Sequence, residues 1–290
     1  MKKKNLTAVI LALGAAVFYA VNTPFSKLLL EKVSATQMAA FLYLGAGTGV
    51  GIMYLFHLKK EEKSERLTLT DLPYTIGMIL LDIAAPIFLM LGIKFGTAAN
   101  ASLLGNFEIV ATTVIALAIF KERVSGLLWG AIGFITAASI VLSFEGGDAF
   151  CFSRGSLFVL LAACCWGLEN NCTRKISGKS TYEIVMLKGL FSGAGSLVIS
   201  LIIGEKFPEI KFIAFTLLLG FVAYGLSIFM YVRAQNIIGA AKTSAYYAAA
   251  PFVGAFLSLF LGEKPAITYF PALVLMLAGT FLVVKDTFRS

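Results

Sequence analysis

Histidine is almost missing from this chain: one residue, His57, in 290. Imidazole-based catalysis and zinc binding therefore have no material, and neither a His-Glu-x-x-His nor a Gly-x-Ser-x-Gly stretch occurs. Cysteine is scarce, at four residues. Cys164, Cys165 and Cys172 share one apolar segment and Cys151 lies outside it, a spacing that offers neither a disulfide framework nor a metal site. They read as small packing residues. Charge is scarce too, at 14% against 59% hydrophobic residues, with a mean hydropathy of +0.87. A soluble chain of this length needs far more polar surface, so this is an integral membrane protein. The longest polar stretch runs only from His57 to Asp71, which leaves no room for a soluble domain. The net charge of +8 has no soluble basic face to sit on, which excludes a nucleic-acid partner.

What the chain has is apolar runs. A helical span takes about 20 residues, and ten such runs fit: 6–26, 35–56, 72–93, 97–119, 126–144, 156–174, 182–203, 212–233, 241–261 and 266–285. The expected fold class is all-α integral membrane. Lys2–Lys4 before an apolar run imitates a secretory leader, yet no polar mature region follows, so the run reads as a retained first helix. Lys59, Lys60, Lys63, Arg66, Lys121, Arg123, Arg174, Lys175, Lys179 and Lys285 crowd one set of span ends. By the positive-inside rule that set, with both termini, faces the cytoplasm and places the chain in the cytoplasmic membrane.

The two halves repeat each other. Phe18 to Lys27 matches Cys165 to Arg174: an aromatic, a small residue, then a polar cluster closed by a base. Gly96-Thr97-Ala98-Ala99-Asn100 resembles Gly239-Ala240-Ala241-Lys242-Thr243, and Phe120-Lys121-Glu122-Arg123 resembles Leu261-Gly262-Glu263-Lys264. Five spans per half force the second half, 146–290, to enter the membrane in the sense opposite to the first, 1–145. The expected architecture is thus a 5+5 inverted repeat, an organisation that suits a carrier rocking one repeat against the other. Gly45, Gly47, Gly49 and Gly51, and Gly189, Gly193 and Gly195, mark close helix contacts. Pro24, Pro86, Pro251 and Pro271 fall inside spans, where each removes a backbone donor.

Ionisable and polar groups within spans are costly and face a cavity or a partner. Asp82 and Glu108 stand near mid-span, and helical spacing sets Ala101, Leu104, Gly105 and Thr112 around Glu108. Asn100 and Asn106 add neutral hydrogen-bonding capacity. Glu169 with Asn170 forms a polar cluster toward the inner end of the sixth span, lining a vestibule or pairing with Arg174. Asn22 and Tyr19 are its outward counterparts in the first span. Trp166, Tyr246 and Tyr247 accompany polar or small residues and offer rings to a ligand, or else anchor at the membrane interface. Lys188 and Lys242 read as snorkelling to the inner surface, Glu122 and Glu263 as loop-capping groups, and His57 as no proton relay.

Phe18–Lys27, Ala98–Arg123, Cys165–Lys175 and Gly239–Lys264 resemble the drug/metabolite transporter superfamily, in its ten-span branch of two EamA-type domains. The resemblance covers nearly the whole chain. It implies a central cavity walled by spans 1, 3, 4, 6, 8 and 9, a small-molecule substrate, no cofactor, and often outward, proton-coupled transport. It also implies a proline midway along span 4 of each half. Pro251 keeps it, while Glu108 departs from it and suits a titrating or cation-binding group. The expected function is a proton-coupled exporter of a metabolite, amino acid or drug-like compound, not an enzyme. The alternatives are a facilitative or exchange carrier and, more remotely, an intramembrane enzyme using Asp82 and Glu108.

Overall fold

Within a bilayer the peptide groups have only each other to bond, so apolar runs fold into long helices. The computed structural model describes residues 2–58, 66–120, 124–145, 151–238, 243 and 246–288. Its helices are α1 (Lys2–Ala20), α2 (Asn22–Leu29), α3 (Ala35–His57), α4 (Leu72–Phe95), α5 (Ala98–Leu104), α6 (Phe107–Phe120) and α7 (Gly126–Ser143) in the first half. The second half holds α8 (Arg154–Ile176), α9 (Thr181–Ile203), α10 (Ile210–Gly220), a π turn at Phe221–Leu226, α11 (Ser227–Ile238), α12 (Ala250–Phe260) and α13 (Tyr269–Thr287). The only extended pairing among the described residues is two residues long, Phe144–Glu145 against Cys151–Phe152.

Among those residues, eight helical stretches are long and apolar enough to cross a membrane. Arg154–Ile176 has the length, at 23 residues, but Glu169, Asn170 and Asn171 lower its hydropathy below that of its neighbours. Ala250–Phe260 is short, and part of the segment before it lies outside the described residues. The exterior is oily, with Phe56, Ile202, Phe260 and Phe281 exposed, whereas Asn22, Asp82, Glu169 and Lys188 are buried. That is the arrangement of a protein solvated by lipid rather than water.

Packing joins the two halves helix by helix. α3 lies along α9, α7 along α13, α4 along α8, α1 along α11, and α5 against α12. Glycine makes the α3–α9 contact possible. A Cβ on Gly189 would stand 2.3 Å from the Gly47 nitrogen, so only bare backbones approach this closely.

Three expected spans are interrupted. The fourth, expected as one helix over 97–119, breaks at Gly105–Asn106 into α5 and α6. The turn is tight, with Asn106 N–H donating to the Leu103 carbonyl at 3.1 Å and Glu108 N–H to Gly105 at 3.1 Å. Glycine's low helix propensity and asparagine's taste for turns account for it. The first span is notched at Val21, because Pro24 has no N–H to give the Ala20 carbonyl. The eighth carries the π turn, a form that often marks functional positions.

Candidate functional site

Asp82 (α4), Glu169 (α8) and Lys188 (α9) meet in the buried interior. The Lys188 ammonium lies 3.0 Å from Asp82 Oδ2 and 3.0 Å from Glu169 Oε1. Tyr43 donates its hydroxyl to Asp82 Oδ1 at 2.9 Å, and the Trp166 indole donates to the same oxygen at 3.2 Å. Thr173 bonds Glu169 from one turn further along α8. Lys188 therefore does not snorkel. At 7% exposure it is the counter-ion of two buried carboxylates, whose attraction outweighs the reach for water. Asp82 also has more polar company than its own span supplies, because Tyr43, Trp166 and Lys188 all come from other helices. Glu169 is held by Lys188 and Thr173, and Trp166 is a buried donor rather than an interface anchor.

Glu108 forms a second centre. It stands in the first turn of α6, just past the break, and its Oε1 accepts from Asn170 Nδ2 at 2.6 Å. Asn170 also reaches Thr112 at 3.5 Å, while Asn171 bonds the Thr112 and Gly167 carbonyls at 3.4 and 2.8 Å. Thr112 thus joins Glu108 as the spacing predicts. Ala101 and Leu104, by contrast, sit in a separate short helix. Among the described residues Glu108 has no ion-pair partner, in contrast to Asp82 and Glu169. No hydrogen bond links it to Asp82.

Tyrosines bridge the two centres and the two halves. Tyr224, in the π turn, packs its ring 5.1 Å from Tyr43 and 5.7 Å from Tyr19, and its hydroxyl accepts from Asn22 Nδ2 at 3.2 Å. Asn22 in turn accepts from Ser26 at 3.0 Å. Tyr247 lies 5.8 Å from Tyr19 and 5.0 Å from Tyr231. Tyr246 goes elsewhere, edge-on to Phe288. Asn100 and Asn106 are buried, and Asn100 Oδ1 and Asn106 Nδ2 have no hydrogen-bond partner among the described residues. Lys242 and Glu122 lie outside the described residues.

Lys188, Tyr43 and Tyr224 escape a sequence reading. Prolines carry a usable signal. Each removes the donor for the carbonyl four residues earlier, and Pro24, Pro86 and Pro251 do so for Ala20, Asp82 and Tyr247. All three carbonyls are at, or next to, residues of this site. Glu108 and Pro251 also correspond in the fold, each being the second residue of a helix that starts mid-span, α6 and α12.

His57 stacks on Tyr182 at 4.7 Å, at the far end of α3. Cys164, Cys165 and Cys172 are unpaired thiols.

Known proteins agree with this architecture. An "Uncharacterized transporter" of Methanothermobacter thermautotrophicus is 23% identical over 97% of this chain and 87% of its own length. The "Uncharacterized transporter YyaM" of Bacillus subtilis is 24% identical over 97% and 92%. One solved crystal structure, described only as that of a protein, superposes with a TM-score of 0.71 at 17% identity and covers 97% of both chains, which shows a shared fold. The model of the EamA-like transporter family matches residues 6–144 and again 153–285. Matched over nearly its whole length, this chain belongs to the EamA-like transporter family.

Proposed function

We propose that this membrane transporter is a secondary carrier that exports a small organic solute across the cytoplasmic membrane in exchange for protons. Ten spans form two inverted repeats, 1–145 and 146–290, with both termini in the cytoplasm. The reciprocal packing supports the inversion. Taking each span with its counterpart five later, the contact of span 1 with span 8 (α1–α11) is the image of that of span 6 with span 3 (α8–α4). Spans 2 and 7, 5 and 10, and 4 and 9 pack as self-images.

The observation that carries the coupling is the state of Glu108. It is a half-buried carboxyl group at the head of a half-helix, bonded to the neutral Asn170 and without an ion pair among the described residues. Asp82 and Glu169 share Lys188 as counter-ion; Glu108 has none among the described residues. A lone carboxylate in the membrane interior is costly until a proton or a cation joins it. Proton and solute then compete for one position, which is the requirement for exchange. Tyr19 and Tyr247, from opposite halves, pack with ring centres 5.8 Å apart and offer aromatic surface in the same interior.

The test starts with purified protein and a thermal-shift screen of metabolites and organic cations at two pH values. Compounds that raise the melting point are then taken into proteoliposomes. Glu108→Gln should fold and melt like the parent yet lose pH-gradient-driven movement of those compounds. Undiminished gradient-driven movement by that variant removes Glu108 from coupling. Coupling would then reside in another group, whereas movement by the parent that ignores the pH gradient favours the facilitative or exchange carrier.

A further inference from the structure

We infer that Glu263 and Lys27 form a latch that holds one face of the carrier shut and must release for that face to open. The inference rests on the alternating-access reading above. Glu263 belongs to the second half, yet its carboxylate caps a helix of the first. Oε1 accepts from Ala98 N–H at 2.9 Å and Oε2 from Ala99 N–H at 2.8 Å. Those are two of the orphan donors at the start of α5, and both bonds are charge-assisted. Local sequence aims the side chain. α12 ends at Phe260 with Leu261 as its C-cap, Gly262 takes a left-handed φ of 95°, and Glu263 N–H returns to the Ser258 carbonyl at 3.2 Å. That glycine-dependent turn folds the chain back toward α5.

Lys27 closes the same face from α2. Its ammonium donates to the Ile93 carbonyl at 2.7 Å and to Gly96 at 2.5 Å, in the last turn of α4 and just beyond it. One layer deeper, the Thr23 and Ser102 hydroxyls bond each other. There Gly254 lies so near that a Cβ on it would meet Ser102 Oγ at 2.8 Å and the Ala20 carbonyl at 3.0 Å. The void left among Pro24, Lys27, Ala98, Ser258 and Glu263 is about 40 Å³. A solute site takes roughly 300 Å³ or more, so this void is far too small to hold a solute. On the other side of this layer Tyr19, Glu108, Thr112, Asn170, Tyr231 and Tyr247 are only half-buried. The seal is therefore one-sided. Of its polar bonds, those of Glu263 to Ala98 and Ala99 join the two halves, while those of Lys27 to Ile93 and Gly96 and of Thr23 to Ser102 tie helix ends within the first; all of them can part without unpacking a helix bundle.

Cysteine accessibility in lipid nanodiscs tests the latch. The native cysteines are replaced by alanine, and Ser258→Cys reports on the sealed face while Thr112→Cys reports on the other. Glu263→Gln should speed maleimide labelling at position 258 roughly tenfold or more, the scale set by losing a charge-assisted hydrogen bond. Labelling at position 112 should slow at the same time, since opening one face closes the other. Lys27→Met should act in the same direction and guards against a folding defect peculiar to Glu263. Labelling at 258 that stays slow in both variants overturns the latch and leaves alternating access untouched. Faster labelling at both reporters marks a loosened fold and overturns latch and alternation together.

Discussion

Lys188 Nζ stands 3.0 Å from Asp82 Oδ2, and the same ammonium stands 3.0 Å from Glu169 Oε1. The three residues come from three helices, α4, α8 and α9, and from both halves of the chain. Removing the lysine leaves two carboxylates buried without a counter-ion. Lys188→Met should cost on the order of 3–5 kcal/mol, read as a large fall in melting temperature in detergent. Adding Asp82→Asn to that variant removes one of the stranded charges, so the double variant should melt closer to the parent than Lys188→Met alone. This is a double-mutant cycle with a sign reversal. A Lys188→Met protein that melts like the parent would show that the ion pairs contribute nothing net.

That triad also shows where reading the sequence stopped. Composition gives the membrane class, because no other environment tolerates this hydropathy, and the matched segments give the repeat. Asp82, Glu169, Asn170 and Glu108 stand out because carboxylates and amides are rare in apolar runs. Lys188 does not, because a lysine near a span end has a cheap local explanation in snorkelling. Its true partners are on other helices and leave no trace in local spacing. The break at Gly105–Asn106 is similarly silent, as one glycine in an apolar run is common and helices usually survive it. The π turn around Tyr224 has no local sequence mark at all. Glu263 was legible as a capping group, though not which helix it caps.

Close backbone contact between α3 and α9 predicts a contrast between two glycines. Gly189→Ala would put a methyl 2.3 Å from the Gly47 nitrogen and 2.7 Å from the Tyr43 carbonyl, both backbone atoms that cannot step aside. Tyr43 is also the residue that bonds Asp82, so a shift of α3 disturbs the ion-pair centre. Gly133→Ala meets nothing within 4 Å. The first change should cost about 1–3 kcal/mol through overpacking and lower the yield of folded protein. The second should leave melting unchanged or raise it slightly, since alanine is the better helix former. Equal behaviour of the two variants in a fluorescence-detected size-exclusion assay would contradict the packing.

The number of spans turns on α8 and on the segment that ends in α12, and α8 can be tested directly. Its Glu169, Asn170 and Asn171 make it the least apolar of the long helices, yet the first two of them are satisfied inside the protein by Lys188, Thr173 and Glu108. Asn171 is satisfied by the Gly167 and Thr112 carbonyls. Polar groups paired within the bundle do not oppose membrane insertion as lipid-facing ones would. α8 should therefore cross the bilayer and bring the turn at Ser177–Lys179 to the side of the termini. Alkaline phosphatase inserted after Lys179 should be inactive in a bacterial host, and green fluorescent protein at the same place should fluoresce. The reverse pair of signals would mean that α8 does not cross. Every later span would then change its sense, and the inverted repeat would fail with it.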